Sequence, residues 1–392
     1  MKRLNIYMSH PIQYQINLLR EINIFKDLET QVFFYWDFGT KESYDTEFQT
    51  KIKWDTPILS GYKYAFLKNY SFKKSANFFG CINFGIINTF FKNAPNSVLI
   101  FGWGTFSNLL VIFLSIIFNK NLYIYGESPQ LHESMKKSSY NLFRRIILRA
   151  VFLKSKKIFF IGKENKKFYK GLGVRDQKLV FTPYAVDSNF HALKSEKLLS
   201  KKYDLRRKHS IKKDSLLILF CGKLIEKKRP QDLLLAFSEI TKNKYKNVHL
   251  IFAGDGPMKH DLQNIISEEK INNVKFLGFV NQTKLPEIYT ISDIFVLPSG
   301  LGETWGLVVN EAMYYGLPII TSSLVGCSSD LITSENGLIY EYKNLKDLES
   351  KLLTLIDDRA KRDLFGLNSR KIISKYNQEF AAKQIVNTVL ND

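Results

Sequence analysis

Cysteine is scarce in this 392-residue chain: Cys81, Cys221 and Cys327 are the whole supply. They are odd in number, scattered and never spaced as CxxC. That excludes a disulfide framework and the usual zinc spacing, and it fits a reducing cytoplasm. Long hydrophobic runs are also missing. The longest, LLVIFLSIIF from Leu109 to Phe118, falls short of the ~20 residues that cross a bilayer and reads as a buried helix. The opening MKRLNIYMSHPIQYQ has no apolar stretch of signal-peptide length and reads as a first strand. No GxxxxGK[ST] occurs. SHPIQYQ stands where a dinucleotide fold would carry GxGxxG, which argues against P-loop and nicotinamide or flavin chemistry. Asp-x-Asp is absent, so no metal is expected to hold a diphosphate, and no cofactor is expected.

Acidic residues are the other shortage. Thirty-seven Asp and Glu stand against 57 Lys and Arg, a net charge of +20. Such a field attracts nucleotide phosphates, anionic lipid or nucleic acid. No RNP, helix-turn-helix or zinc-finger pattern accompanies it, so no nucleic-acid partner is expected.

What the chain does have is alternation. Short apolar runs (RLNIYMS, TQVFFYW, SVLIFGW, LYIYGES, KIFFIGK and KLVFTPY) alternate with helical patterns in the first half. LLILFCGK, VHLIFAGDG, VKFLGFV, IFVLPSG, LPIITSS and GLIYEY do so in the second. Near-continuous apolar strands imply parallel sheets covered on both faces. The expected fold class is α/β, with two doubly wound, Rossmann-like domains. The expected division is residues 1–190, 191–374, and a terminal helix at 375–392 that returns to the first domain. SEKLLSKKYDLRRKHSIKKD, charged and weakly patterned, reads as a linker with a domain edge.

Glycine recurs where second-half strands end. CGKLIEKKRP follows LLILF, and GDGP, with Gly254, follows VHLIFA. Glycine there lets backbone N–H groups approach an anion, and ligands of open α/β sheets sit beyond the carboxyl ends of strands. Lys223, Lys227, Lys228 and Arg229 flank the first loop, where an ammonium can neutralise a diphosphate. A solvated basic loop is the plainer alternative.

The stretch GETWGLVVNEAMYYG, Gly302 to Gly316, follows a strand-like run. With a helix starting near Trp305, Glu303 lies in the loop and Glu311 about two turns in. A loop carboxylate can accept from sugar hydroxyls, a helix carboxylate can bridge a ribose, and the helix N-terminus can face a phosphate. For a bare E-x7-E, a helix cap and a surface carboxylate are the simpler reading.

The stretch GETWGLVVNEAMYYGLPII resembles the donor-site signature of retaining GT-B glycosyltransferases, in particular glycosyltransferase family 4. CGKLIEKKRPQDLLLAF, FAGDGP, VKFLGFV, SDIFVLPS and NGLIYE follow the family pattern in order, over roughly Leu216 to Ile356. HPIQY and IGKENKKFYKGLGV...FTPYAVD resemble one bacterial subgroup. The resemblance implies two domains facing each other across a cleft and metal-independent transfer with retained anomeric configuration. It also implies roles. Lys223 and Lys228 contact the donor diphosphate, Glu303 binds donor-sugar hydroxyls, and the main chain at Trp305, Gly306 and Leu307 assists. Gly254 belongs to the donor loops, Glu311 binds the ribose, and Phe279 and Val280 meet the base. The sequence departs from the pattern at Lys223, often arginine, at Trp305, usually phenylalanine, and in lacking a glycine pair after strand one.

In the first domain, His10 follows strand one and is a candidate to orient or deprotonate an acceptor hydroxyl. Glu127 ends LYIYGE and is a second catalytic candidate; His132 is a weaker one. A helix cap and a turn carboxylate are their plainer readings. KKSSYNLFRRIILRAVFLKSKK, Lys136 to Lys157, holds eight basic residues and no acidic one, with apolar residues at helical spacing. It suits an anionic membrane surface, or a helix with a solvated basic side. The expected function is transfer of a sugar from a nucleotide-diphosphate donor, UDP-sugar ahead of GDP-mannose, to a growing surface glycan on a lipid carrier. The expected place is the cytoplasm or the inner face of its membrane. A sugar-nucleotide epimerase and a non-catalytic partner subunit are the alternatives.

Overall fold

The computed structural model describes every residue except 46, 135–139 and 244. Contacts divide it into two units: Met1–Glu42, Thr56–Tyr184 and Asn377–Asp392 form one, and Ser43–Asp55 with Ala185–Tyr376 form the other. Along the chain come β1 (Lys2–Met8), α1 (Gln13–Ile24), β2 (Leu28–Phe34), β3 (Ser43–Asp45), β4 (Thr50–Ile52) and β5 (Tyr64–Phe66). Next are α2 (Ile86–Lys92), β6 (Ser97–Phe101), α3 (Phe106–Ile117), β7 (Asn121–Gly126) and α4 (Gln130–Ser134). Then α5 (Tyr140–Lys154), β8 (Lys157–Phe160), α6 (Lys163–Gly171) and β9 (Leu179–Phe181) close the first half.

The second half continues with α7 (Ser188–Leu199), α8 (Lys202–Lys208), β10 (Leu216–Cys221), α9 (Pro230–Asn243), β11 (Val248–Ala253) and α10 (Lys259–Glu268). It goes on through β12 (Val274–Gly278), α11 (Leu285–Ile291), β13 (Ile294–Leu297), α12 (Leu307–Tyr314), β14 (Ile319–Ser322) and α13 (Ser328–Leu331). It ends with β15 (Gly337–Tyr340), α14 (Leu345–Asp357), α15 (Arg359–Ile373) and α16 (Gln378–Asn391). All twelve apolar runs noted in the sequence are strands.

The first unit holds a seven-stranded sheet in the order β5-β2-β1-β6-β7-β8-β9, with every pairing parallel. Parallel neighbours need crossover helices. One core layer joins Val98, Ile100 and Ile158 of the strands to Ile86 of α2, Val111 of α3 and Phe152 of α5. Helices α2, α3 and α5 therefore cover the same face. On α1 lies α16, which buries Ala381, Ile385 and Val389. The Lys2 ammonium donates to the Leu390 carbonyl at 2.8 Å, placing a cation at the carbonyl end of α16.

The second unit holds a six-stranded parallel sheet, β12-β11-β10-β13-β14-β15. Its strand order reverses between β10 and β13, the position where open α/β sheets carry ligands. The segment read as a linker is helical and anchored. Asp187 caps α7 through the Phe190 N–H. Arg206 of α8 is buried, donates to the Ile291 and Ser215 carbonyls and pairs with Asp293. Its five-donor fork meets acceptors from three places, which no local pattern announces.

Two further features differ from the sequence reading. The antiparallel hairpin β3–β4 comes from the first half of the chain yet packs with the second unit. Helix α3, expected to be buried, is buried on one side alone; Phe113, Ile116 and Ile117 are exposed.

Candidate functional site

The second unit brings two strand-end loops together. After β10, residues Glu226–Lys228 make one 3-10 turn. The Lys227 carbonyl accepts from Gly300 N–H, in the loop after β13, at 2.8 Å. Across this junction Lys228 forms an ion pair with Glu303, both side chains being largely buried. Burial alone would raise the Glu303 carboxyl. The Lys228 ammonium outweighs burial, helped by Lys227 and Ser299, and holds it below the ordinary glutamate range.

Helix α12 begins one residue beyond Gly306, whose φ is +101°. A Cβ there would stand 2.9 Å from Leu297 Cδ2, so glycine is needed both for the turn and for the strand behind it. Trp305 is buried and its indole N–H donates to Asn310 at 2.9 Å; its carbonyl accepts from Cys327 N–H at 3.0 Å. Leu307 opens the helix. Eight residues after Glu303, Glu311 sits in the second turn and faces inward. Tyr289 Oη donates to Glu311 Oε2 at 2.6 Å, and His191 Nε2 lies 4.0 Å from Oε1. Burial pushes Glu311 up to about 7, against the Tyr289 and Gln282 hydrogen bonds, which pull it down. Burial also takes His191 down to about 3, so the imidazole brings no counter-charge. Glu303 is thus a paired anion and Glu311 a carboxyl half-protonated near neutrality. They are two carboxyls of one loop–helix in opposite electrostatic settings.

The remaining donor candidates line the same strand ends. Gly254 packs backbone to backbone: a Cβ would meet the Gly222 carbonyl oxygen at 1.8 Å. Phe279 and Val280 follow β12 and are partly exposed. Lys223 is engaged by the hairpin, with its ammonium 2.5 Å from Glu47 and 3.3 Å from Asp45 and 4.9 Å from the Phe48 ring centroid. Phe279 lies 5.1 Å from the Phe48 ring and 6.2 Å from that of Trp54. Asn281 donates to the Lys53 carbonyl at 2.8 Å, and Thr283 Oγ1 to Asp55 at 2.5 Å.

Residues 201–372 match the family model "Glycosyl transferases group 1". That domain contains every second-unit candidate from Lys223 to Glu311. An uncharacterized glycosyltransferase of Methanocaldococcus jannaschii is 31% identical over 188 residues, 47% of this chain and 47% of that protein. The capsular polysaccharide biosynthesis glycosyltransferase CapM of Staphylococcus aureus is 26% identical over 220 residues, 54% of this chain and 51% of that protein. The chain spans about half the length of these curated relatives. The crystal structure of Anabaena HepE in complex with UDP superposes with a TM-score of 0.75 at 17% identity, covering 100% of both chains. The same protein is also solved with UDP-glucose. The fold, two Rossmann-like halves with parallel sheets, is that of GT-B glycosyltransferases.

Within the group 1 domain and the residues packed on it, sequence reading missed Tyr289, His191 and the hairpin. Tyr289 and His191 reach Glu311 from α11 and α7, and no spacing links them to it. The acidic and aromatic content of SYDTEFQTKIKWD was visible in the sequence, but its place was not.

In the first unit, His10 and Glu127 stand beyond the carboxyl ends of β1 and β7. His10 packs against Trp36 and Phe38, with ring centroids 5.6 and 5.4 Å away, and Ser9 Oγ lies 3.0 Å from Nδ1. Burial lowers the imidazole to about 4, leaving it neutral at physiological pH. Glu127 accepts from Tyr184 Oη at 2.6 Å and from Gln15 Nε2 at 3.1 Å. His132 is buried. Of the basic stretch Lys136–Lys157, residues 136–139 lie outside the described residues; Tyr140–Lys154 is α5, Ser155 and Lys156 form a bend, and Lys157 opens β8. Among the described residues, no group of three His, Cys, Asp or Glu is placed to hold a metal ion, and no helix is long and apolar enough to cross a membrane.

Proposed function

We propose that this chain is a retaining, metal-independent glycosyltransferase of family 4 type that takes a UDP-sugar as donor. The observation that carries the reading is the Lys228–Glu303 pair, set beside the helix start that leads to Glu311. Departure of a nucleoside diphosphate leaves negative charge on the leaving oxygen. A buried ammonium and a helix N-terminus would stabilise it where water is scarce. Lys228 and Lys223 would hold the diphosphate. Glu303, kept ionised, would accept from sugar hydroxyls and balance the positive charge of an oxocarbenium-like centre. Glu311 would bridge the ribose hydroxyls, and Phe279 and Val280 would border the base. The UDP in HepE supports uracil over guanine, and the capsular role in CapM's name supports a surface-glycan acceptor. His10, neutral and held by two aromatic rings, and Glu127 would orient the acceptor hydroxyl. A lipid-linked acceptor at the inner membrane face, with α5 toward anionic lipid, completes the reading.

Thermal stabilisation by a panel of UDP- and GDP-sugars, read on wild type and Glu311→Ala together, tests it. Stabilisation of wild type by a UDP-sugar and its loss in the variant is the expected result. No response to any nucleotide sugar, and no slow hydrolysis of any, would remove the donor assignment.

A further inference from the structure

The second-unit chemistry leaves helix α3 unexplained. Its polar residues, Ser107, Asn108 and Ser115, point inward and are buried. Ser107 donates to the Cys81 carbonyl at 2.9 Å, Asn108 accepts from Tyr35 Oη at 2.7 Å, and Ser115 donates to the Val111 carbonyl at 2.7 Å. The exposed positions are Phe113, Ile116 and Ile117, with Phe106 half-buried beside them, and none of the four is polar. Phe113 is 59% exposed and Ile117 56% exposed. A helix facing water shows the opposite arrangement.

The apolar surface continues past α3. Phe118 meets Phe91 of α2 at 5.3 Å. Phe106 meets Phe84 at 6.2 Å and Phe78 at 6.4 Å, and Phe78 meets Phe79 at 4.8 Å. Phe79 is 71% exposed. Monomeric surfaces rarely gather exposed aromatics in this way without a partner. Helix α5 covers the same sheet face and turns Ile146 and Leu153 outward beside Arg145 and Arg149.

The sequence through this layer is strongly basic. From residue 56 to residue 163 the sequence holds fifteen Lys and Arg and two carboxylates, Glu127 and Glu133. Glu127 is bound to Tyr184 and Gln15, and Glu133 is paired with Arg144 at 2.6 Å. Lys68, Lys73, Lys74 and Lys92 are exposed around the aromatic cluster. We infer that the outer face of the α2–α3–α5 layer is a docking surface for an anionic lipid bilayer. Aromatic and aliphatic side chains would enter the headgroup boundary while lysines and arginines meet the lipid phosphates. A bilayer accepts diffuse charge and needs no matched polar groups, and this face offers almost none. Self-pairing would set one lysine rim against another. The inference rests on the proposed lipid-linked acceptor for its purpose, and on the first unit alone for its evidence. It widens the surface from the α5 stripe to aromatics that carry no charge.

Co-sedimentation of the full chain with phosphatidylcholine vesicles, with and without phosphatidylglycerol, tests it. The variants are Phe79→Ser/Phe113→Ser/Ile117→Ser and, separately, Arg145→Glu/Arg149→Glu. Wild type is expected to bind anionic vesicles, and the triple variant to lose roughly tenfold or more in partitioning. The arginine variant should lose the part of binding that salt screens. Wild type staying off anionic vesicles, or the triple variant binding as wild type does, overturns the inference. A wild-type dimer that the triple variant breaks would also overturn it, in favour of a second copy. Stabilisation by a UDP-sugar is measured on the same proteins. Vesicle binding without any nucleotide response or hydrolysis would remove the donor assignment and leave the membrane face standing.

Discussion

Replacing Glu311 by Gln should make the protein more stable at pH 8 and leave it unchanged at pH 4. Glu311 is 5% exposed, and burial moves its carboxyl from 4.5 to about 7. A raised pKa means that between those values the folded state holds a proton the unfolded state has released. Stability is then fully present below about pH 4.5 and falls as pH rises through about 7. Each tenfold change in acidity is worth about 1.4 kcal/mol, so the loss comes to roughly 3 kcal/mol by pH 8. Gln cannot ionise, and its carbonyl can still accept from Tyr289 Oη, so the variant escapes that loss without orphaning the tyrosine. His191, brought down to about 3 by burial, stays uncharged throughout this window and does not offset the carboxylate. For a unit of this size, roughly 3 kcal/mol corresponds to an unfolding midpoint higher by on the order of 5–10 °C. The assay is thermal unfolding of both proteins from pH 4 to pH 8.5, without nucleotide. The expected gap opens between pH 5 and 8. A gap that is constant with pH, or a wild type that gains on the variant as pH rises, refutes the electrostatic account of Glu311.

Three further outcomes follow from the same geometry. Lys228→Ala strands the buried Glu303 carboxylate and should cost about 3 kcal/mol; adding Glu303→Gln should recover most of it, and additive losses in denaturant melts would show that the two side chains are not coupled. Asp45→Asn/Glu47→Gln releases the Lys223 ammonium and should tighten UDP binding a few-fold by calorimetry; an unchanged Kd would mean the hairpin carboxylates do not compete with phosphate. Gly254→Ala drives a Cβ into the Gly222 carbonyl, 1.8 Å away, and should lower the unfolding midpoint far more than Gly104→Ala, where nothing lies within 4 Å.

What the sequence determined by itself is what depends on near neighbours in the chain. The parallel sheets were legible because strands buried on both faces are continuous apolar runs, and all twelve such runs are strands. The separation of Glu303 and Glu311 was legible because a strand, a glycine and a helical pattern lie in one short stretch. Tertiary structure alone decided whatever joins distant positions. Lys228 and Glu303 are 75 residues apart, and Lys223 meets Glu47 across 176; no local period encodes either pair. The hairpin Ser43–Asp55 reads as a polar loop until its partners Phe279 and Thr283 are known. Arg206 makes a charged stretch look like a linker, because a buried guanidinium and a solvated one are written with the same letter. Helix α3 shows the limit most plainly. Its composition says only that it is apolar; in the fold Val111, Ile112 and Leu114 join the core, Ser107 meets the Cys81 carbonyl and Asn108 meets Tyr35, and Phe113, Ile116 and Ile117 are left outside.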